Sequence, residues 1–310
     1  MASLAREPAW PRYDSGMPTA VNGDIEICYE TFGDRQAPPL LLVMGLGAQM
    51  IAWPDDWCSA LAAAGRFVIR FDNRDCGLST KLAGVHVDLA AVLSAWEGQG
   101  EMPSVPYLLS DMADDAVAVL DDLDIDQAHI VGASLGGMIV QTMAIEHPDR
   151  TRTLTSIMST TGERDFYKWD PQVRARLMTP PPNDREGAIA AGVEAGRLMS
   201  SPRYFDPDEA AAASAAAYDR SFFPEGIVRQ TAAIRASGSR DEGLRRLSVP
   251  TLVVHGLADR LILPIGGRRT AEIVPSANLL LMHDMGHDLP RRLWPLLIDT
   301  IVSHTAHAIG

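Results

Sequence analysis

The chain has 310 residues, 46% of them hydrophobic and 22% charged, a composition that belongs to a folded protein with a substantial core and excludes intrinsic disorder. With 27 Lys and Arg against 40 Asp and Glu the net charge is −13, a field that repels phosphate backbones and anionic membrane surfaces, so no nucleic-acid partner is expected. Cys28, Cys58 and Cys76 are odd in number, far apart and without a CxxC pair; buried free thiols are expected, with neither a disulfide framework nor a zinc site.

At the start, Arg6 and Glu7 interrupt any apolar core and Pro8 and Pro11 break a helix, so no secretory signal is read and a cytoplasmic location is expected. Short apolar runs follow at Asp24–Thr31, Leu40–Met44, Phe67–Phe71, His129–Gly132, Thr153–Met158, Thr251–His255 and Asn278–Met282, separated by segments of helical period. Most are continuous, as in strands buried on both faces, and they predict an α/β fold with a mostly parallel central sheet and helices on both faces. The longest apolar stretch, Pro38 to Pro54, is cut by Gly45, Gly47 and Gln49 and falls short of the ~20 residues that span a bilayer, so no membrane insertion is expected. Lys81 to Pro106 reads as a small irregular insert. Behind a Ser110-Asp111 start signal, Met112, Ala116, Val119, Leu120 and Leu123 recur at helical spacing. Trp294, Leu297, Ile298, Ile301 and Val302 do the same near the end, giving two helices that cover the sheet. From Gly162 to Leu247 the strand rhythm stops and Pro, Ala and Arg accumulate, and strands resume at Thr251. The expected organisation is therefore a core in two parts, 1–161 and 248–310, with a helical cap at 162–247 spliced between them. A homo-oligomer is left open.

The strand His129–Gly132 runs into Gly132-Ala133-Ser134-Leu135-Gly136, a GxSxG followed by an apolar segment of helical length. A sharp strand-to-helix turn forces the serine into a strained backbone conformation, which is tolerable only if its neighbours carry little side chain. A lone serine is a poor nucleophile, so a base and an orienting acid are needed, in this architecture in the order Ser, Asp, His. Asp259, four residues past His255, and His287, five beyond the last strand, meet that order. Both follow strands whose carboxyl ends share one edge of a parallel sheet, so they can converge on Ser134. His283 is a lesser alternative for the base, and Glu163 or Asp165 for the acid; His129, His147 and His255 read as structural. Acyl transfer also needs oxyanion donors. The backbone N–H of Leu135 supplies one, and the Gly45-Leu46-Gly47 loop after the strand Leu40–Met44 supplies the other, assigned to Leu46. No metal and no cofactor are required.

The Val43–Gly47 loop, the run Phe71 to Thr80, the serine turn, His255–Asp259 and Gly286-His287 together resemble the α/β-hydrolase superfamily. The stretch Asp72-Asn73-Arg74-Asp75-Cys76-Gly77-Leu78-Ser79-Thr80 and the run Asp111 to Arg150 are similar to the actinobacterial esterases that include aclacinomycin methylesterase. The resemblance implies an α/β-hydrolase fold, a Ser134–His287–Asp259 triad and a serine carboxylesterase. Many members open the oxyanion loop with His-Gly, whereas Met44 stands here in place of the His. Asp72 and Arg74 read as an ion pair or cap fixing the loop below the site, not as catalytic groups. Trp169, Met178, Tyr218 and Phe222 are expected to line an apolar acyl pocket, the alternative being that they form the cap's own core. The expected activity is hydrolysis of a small or medium apolar carboxylic ester, methyl esters among them. Thioester, lipid or C–C bond hydrolysis and cofactor-free perhydrolysis on the same triad are alternatives, as is a non-catalytic ligand receptor on the same fold.

Overall fold

The computed structural model describes residues 16–166, 170–177, 179, 182–275 and 277–306. Its centre is an eight-stranded sheet of order β1-β2-β4-β3-β5-β6-β7-β8. The strands are β1 (Thr19–Asn22), β2 (Ile25–Phe32), β3 (Pro39–Val43), β4 (Phe67–Phe71), β5 (Ala128–Ala133), β6 (Thr151–Ile157), β7 (Thr251–Gly256) and β8 (Asn278–Met282). β2 runs antiparallel to both β1 and β4, and the remaining pairs are parallel. The loops leaving β3, β5, β6, β7 and β8 therefore emerge along one edge of the sheet. The apolar runs mark seven strands, and β1 escapes them because only Ala20 of its four residues is buried. It is joined to β2 by a tight hairpin in which Asn22 faces Ile25 and the first loop residue, Gly23, takes φ +60°, the glycine-first two-residue turn that suits two twisted strands.

The helices that flank β3 and β4 and lead to β6 are α1 (Asp55–Ala63), α2 (Leu89–Trp96), α3 (Leu109–Asp122) and α4 (Leu135–Glu146). Between β6 and β7 come α5 (Pro171–Leu177), α6 (Arg185–Met199), α7 (Pro207–Arg220), α8 (Glu225–Ala236) and α9 (Asp241–Leu244), and α10 (Ile265–Ile273) and α11 (Trp294–Ala306) complete the chain order. The stretch 81–106, expected to be irregular, contains α2, which is started by Asp88 accepting the Ala91 N–H at 2.9 Å. α3 begins with the Asp111 carboxylate capping the Leu108 N–H at 2.7 Å, so Asp111 acts from the first turn and not as the leading cap.

Strand alternation divides the core into two layers. Leu41, Val43 and Ile130 face α3, α4 and α10, packing with Met112, Leu120, Met138 and Ile273. Leu40, Leu42 and Val131 face α1 and α11, packing with Trp57, Leu61, Leu297 and Ile301. The three cysteines are free and buried, and burial pushes the thiols of Cys28 and Cys58 up to about 11 and about 12, so they stay protonated and inert. Among the described residues no helix is long and apolar enough to cross a membrane.

The helical segment between β6 and β7 is fastened to the sheet body at several points. α6 and α7 have no fully buried residue among those described, but α8 and α9 contribute Ala233 and Leu244 to the same core layer as α3 and α4. Arg229 of α8 grips Asp75 with two bonds of 2.8 and 2.9 Å, both side chains almost fully buried, and the Tyr107 hydroxyl donates to the same carboxylate. Past α6, Asp288 Oδ1 accepts the N–H groups of Ser201 and Gly286 at 3.0 and 3.1 Å, and the His287 N–H donates to Met199 O at 2.7 Å. Burial pushes the Asp288 carboxyl up to about 6, against the lowering effect of its two N–H partners and of His287.

Two stability predictions follow from these tethers. Arg229→Met leaves the Asp75 carboxylate buried without its counter-charge and is expected to cost about 3–5 kcal/mol, read as a fall in the urea midpoint. The folded-state value for Asp288 lies above the roughly 3.9 of an unfolded aspartate, so its proton stabilises the fold below about pH 4 and that contribution is lost as pH rises through 6. Asp288→Asn keeps the acceptor and removes the proton; relative to the parent it is expected to gain on the order of 2 kcal/mol between pH 4 and pH 7 in denaturant titrations.

Candidate active site

β5, buried along its whole length, ends at Ala133, and α4 starts at Leu135. Ser134 between them takes φ 56° and ψ −118°, a conformation that costs a residue with a side chain about 1–3 kcal/mol. The close approaches that impose it are visible at two glycines. A Cβ on Gly132 would lie 2.1 Å from Gly136 O, and one on Gly136 would lie 2.0 Å from Val43 O. The turn is held by the Ser134 N–H donating to Ile157 O of β6 at 2.9 Å and by Ser159 Oγ donating to Ser134 O at 2.8 Å.

From the neighbouring loops, His287 reaches Ser134 and Asp259 together. Its Nε2 lies 2.9 Å from Ser134 Oγ and its Nδ1 2.8 Å from Asp259 Oδ2. A carboxylate can only accept, so Nδ1 carries the proton and the Nε2 lone pair faces the serine hydroxyl. Asp259 is fixed from the other side, where Oδ1 accepts the N–H groups of Leu261 and Ile262, each at 2.9 Å. Burial alone would raise its carboxyl; the His287 charge and the hydrogen bonds from His255 and His287 outweigh burial and hold it at about 2. The three groups thus form a continuous chain from a shielded anion to a hydroxyl that is still partly exposed.

The other histidines and acids fall elsewhere. His255, fully buried, donates from Nε2 to Ile262 O at 2.8 Å and lies 3.3 Å from Asp259 Oδ2, a support beneath the acid. His129 bonds Thr153 Oγ1 at 2.9 Å, and burial takes its imidazole down to about 4. His147 pairs with Asp114 on the surface. His283 lines a separate cleft of about 240 Å³ with Arg203, Asp284 and Leu257. Glu163 accepts the Arg164 N–H, and neither it nor Asp165 is hydrogen-bonded to His287. Among the described residues, no group of three or more His, Cys, Asp or Glu is placed to hold a metal ion.

The loop after β3 lies directly over the serine, since a Cβ on Gly45 would sit 3.0 Å from Ser134 Cβ. Among the described residues neither the Leu46 N–H nor the Leu135 N–H donates to another protein group. Beneath this loop the run Asp72–Asp75 acts as its foundation. Asp72 accepts from Met50 N and Leu78 N and pairs with Arg220 at 2.7 Å, and Asn73 donates to Met44 O at 2.8 Å. Asp72 and Arg74 do not pair with each other: the partner of Arg74 is Asp115, gripped through two bonds. Gly47 donates to Gln230 of α8, a residue that carries no motif and that sequence reasoning missed. Of the expected pocket residues, Tyr218 and Phe222 stack on each other at 4.6 Å and the Tyr218 hydroxyl donates to Asn183 O, contacts within the helical segment itself. Trp169 and Met178 lie outside the described residues.

The model of the alpha/beta hydrolase fold family matches residues 38–290. The chain is 30% identical to the rhodomycin D methylesterase DauP of a Streptomyces species, over 94% of this chain and 99% of the relative. It is likewise 30% identical to the rhodomycin D methylesterase DnrP of Streptomyces peucetius, again over 94% of this chain and 99% of that one. Among solved structures, a meta-cleavage product hydrolase from Pseudomonas fluorescens shares the fold, with a TM-score of 0.74 at 20% identity across 94% of this chain and 98% of that one. The strand order, the serine turn after β5 and these matches agree with the resemblance drawn from the motifs, and the chain belongs to the alpha/beta-hydrolase fold family.

Proposed function

We propose that this protein is a serine carboxylesterase that cleaves a neutral, apolar carboxylic ester, with a methyl ester as the preferred class, through the triad Ser134, His287 and Asp259. The observation that carries this reading is the single imidazole hydrogen-bonded on one side to Ser134 Oγ and on the other to a buried carboxylate held at about 2. Methyl esters are favoured because relatives that share 30% identity over nearly their whole length are named methylesterases.

In this mechanism Ser134 Oγ attacks the ester carbonyl carbon as His287 Nε2 takes its proton. The carbonyl π electrons move to oxygen, where the Leu46 and Leu135 N–H groups stabilise the developing charge. Asp259 holds the imidazole in its tautomer and balances the imidazolium. Collapse of the tetrahedral adduct breaks the bond to the alkoxy oxygen, which leaves as the alcohol with the proton from His287. Water then attacks the acyl-enzyme with His287 again as base, releasing the acid and restoring Ser134. Residues 162–247 form the cap over this site in the same reading, with α6 and α7 as its outer part.

The reading is tested with p-nitrophenyl esters of graded acyl length and a panel of simple and polycyclic methyl esters. Ser134→Ala is expected to abolish turnover and to lose the stoichiometric mass increase given by a fluorophosphonate; retained turnover in the purified variant would end the mechanism. Asp259→Asn is expected to lower kcat by up to ~10⁴ with KM nearly unchanged. Protonation of the base closes the reaction on the acid side. Because Asp259 stays ionised down to about 2, kcat/KM is expected to show one single-proton acidic limb, and a limb two protons steep above pH 3 contradicts the assignment.

A further inference from the structure

The Leu135 N–H belongs to the peptide that joins Ser134 to Leu135, and the other end of that peptide is the Ser134 carbonyl. A trans peptide is planar, so its C=O and N–H point in opposite directions and turn together. Whatever grips the Ser134 oxygen therefore sets where the Leu135 N–H is aimed. Two donors reach that oxygen: the Met138 N–H at 3.2 Å, which closes the first turn of α4, and Ser159 Oγ at 2.8 Å. A carbonyl only accepts, so the Ser159 hydroxyl gives its one proton to this bond. The Met138 bond runs within α4 and moves with the helix. The Ser159 bond ties the same peptide to the end of β6, and through it to the sheet.

The surroundings of Ser159 bring the hydroxyl to this oxygen from both sides. The residue is almost fully buried. Met158, just before it, takes φ +42°, a left-handed conformation unfavourable for a residue with a side chain. It is held there by its N–H donating to Val254 O of β7 at 2.9 Å. From the other side Gly137 lets α4 come close, since a Cβ there would lie 2.5 Å from Ser159 Cβ and 2.7 Å from Ser159 Oγ. A strained residue on one element and a bare glycine on the other thus serve a single hydrogen bond. That bond does more than hold a direction: a donor on the carbonyl oxygen polarises the whole peptide and strengthens its N–H as a donor, by roughly 10–30% per bond.

We infer that Ser159 is a positioning residue for the oxyanion site, its hydroxyl fixing and polarising the Ser134–Leu135 peptide so that the Leu135 N–H meets the oxygen of the tetrahedral intermediate. The inference rests on the esterase reading above. Ser159 touches no reacting atom; it acts through this one peptide.

The test compares Ser159→Ala, which removes the hydroxyl, with Ser159→Cys, which fills the space with a weak donor. With the best ester found for the parent enzyme, both variants are expected to lose about 3–30-fold in kcat with KM within twofold, a fraction of the cost of deleting an oxyanion donor. The affinity of a trifluoromethyl ketone, which forms a tetrahedral adduct with Ser134, should fall by the same factor. In that adduct the amide proton of Leu135, followed in 15N-labelled protein, should resonate upfield of its position in the parent adduct, because its bond to the oxyanion is weaker. Folding of each variant is read by thermal unfolding; should Ser159→Cys not fold, Ser159→Ala, which deletes a single atom, decides together with the Leu135 signal. Parent-like kcat in folded Ser159→Ala overturns the inference, and so does a parent-like Ser159→Cys beside an impaired Ser159→Ala, which would assign the loss to packing. A loss carried by KM alone, or a lower kcat with the Leu135 amide unmoved, overturns it as well. Failure of the esterase reading is seen separately, as absence of ester turnover in the parent or its persistence in Ser134→Ala.

Discussion

The positive φ of Ser134 is the constraint around which this protein is built. A residue with a side chain sits there only because its surroundings over-determine it, and those surroundings come from three strands and the turn after one of them. β5 delivers the serine, β3 passes close enough to forbid a Cβ on Gly136, β6 accepts the serine N–H, and the turn after β6 supplies Ser159 to its carbonyl. The strain lifts the hydroxyl out of the sheet edge, where the loops after β7 and β8 bring Asp259 and His287. Everything chemical about the site follows from that exposure, and the glycines are the reason the chain can reach it.

A second level of organisation lies in the four consecutive polar residues after β4. Asp72, Asn73, Arg74 and Asp75 each face a different part of the molecule: the backbone at Met50 beyond the loop after β3, the residue that follows β3, helix α3 and helix α8. Burying so many polar groups side by side is costly unless each is satisfied, and most of these bonds go to backbone groups or to opposite charges. The outcome is a rigid joint at which the loop above Ser134 and the helices that follow β6 are fixed relative to each other.

Much of this was legible in the sequence. Short apolar runs, most of them continuous, located seven of the eight strands, because strands buried on both faces carry few polar residues, and the structure gathers Ser134, Asp259 and His287 along the edge where the strands preceding them end. Short or half-exposed elements were less visible: β1 buries a single residue, and α2 follows an aspartate cap inside a stretch rich in Gly and Pro. Partners were the least visible of all. Asp72 and Arg74 read correctly as supports, yet their counterparts, Arg220 and Asp115, are set by tertiary packing. Gln230 lies 183 positions from Gly47 and is one polar residue on a mixed helix; nothing local distinguishes it from a glutamine facing water. Asp288 is equally plain in the sequence, although its place immediately after the proposed base was a hint.

The points at which the helical segment is pinned have a consequence for how this fold can be varied. Arg260 holds Asp170, the loop before α11 holds Met199 and Ser201, Gln49 and Asp72 hold the end of α7, and Asp75 with Gly47 holds α8. Gln172, Arg203 and Glu209 are held as well, by Arg260, Asp284 and Arg291, so among the described residues the stretches between the pins are 173–198 and 210–216, and they contain most of α6 and half of α7, the helices with no fully buried residue among those described. Insertions, deletions or grafted loops confined to those stretches leave Ser134, Asp259 and His287 in register. The same chain therefore offers a natural division of labour for redesign: two interchangeable spans that can be lengthened or traded, strung between anchors that cannot.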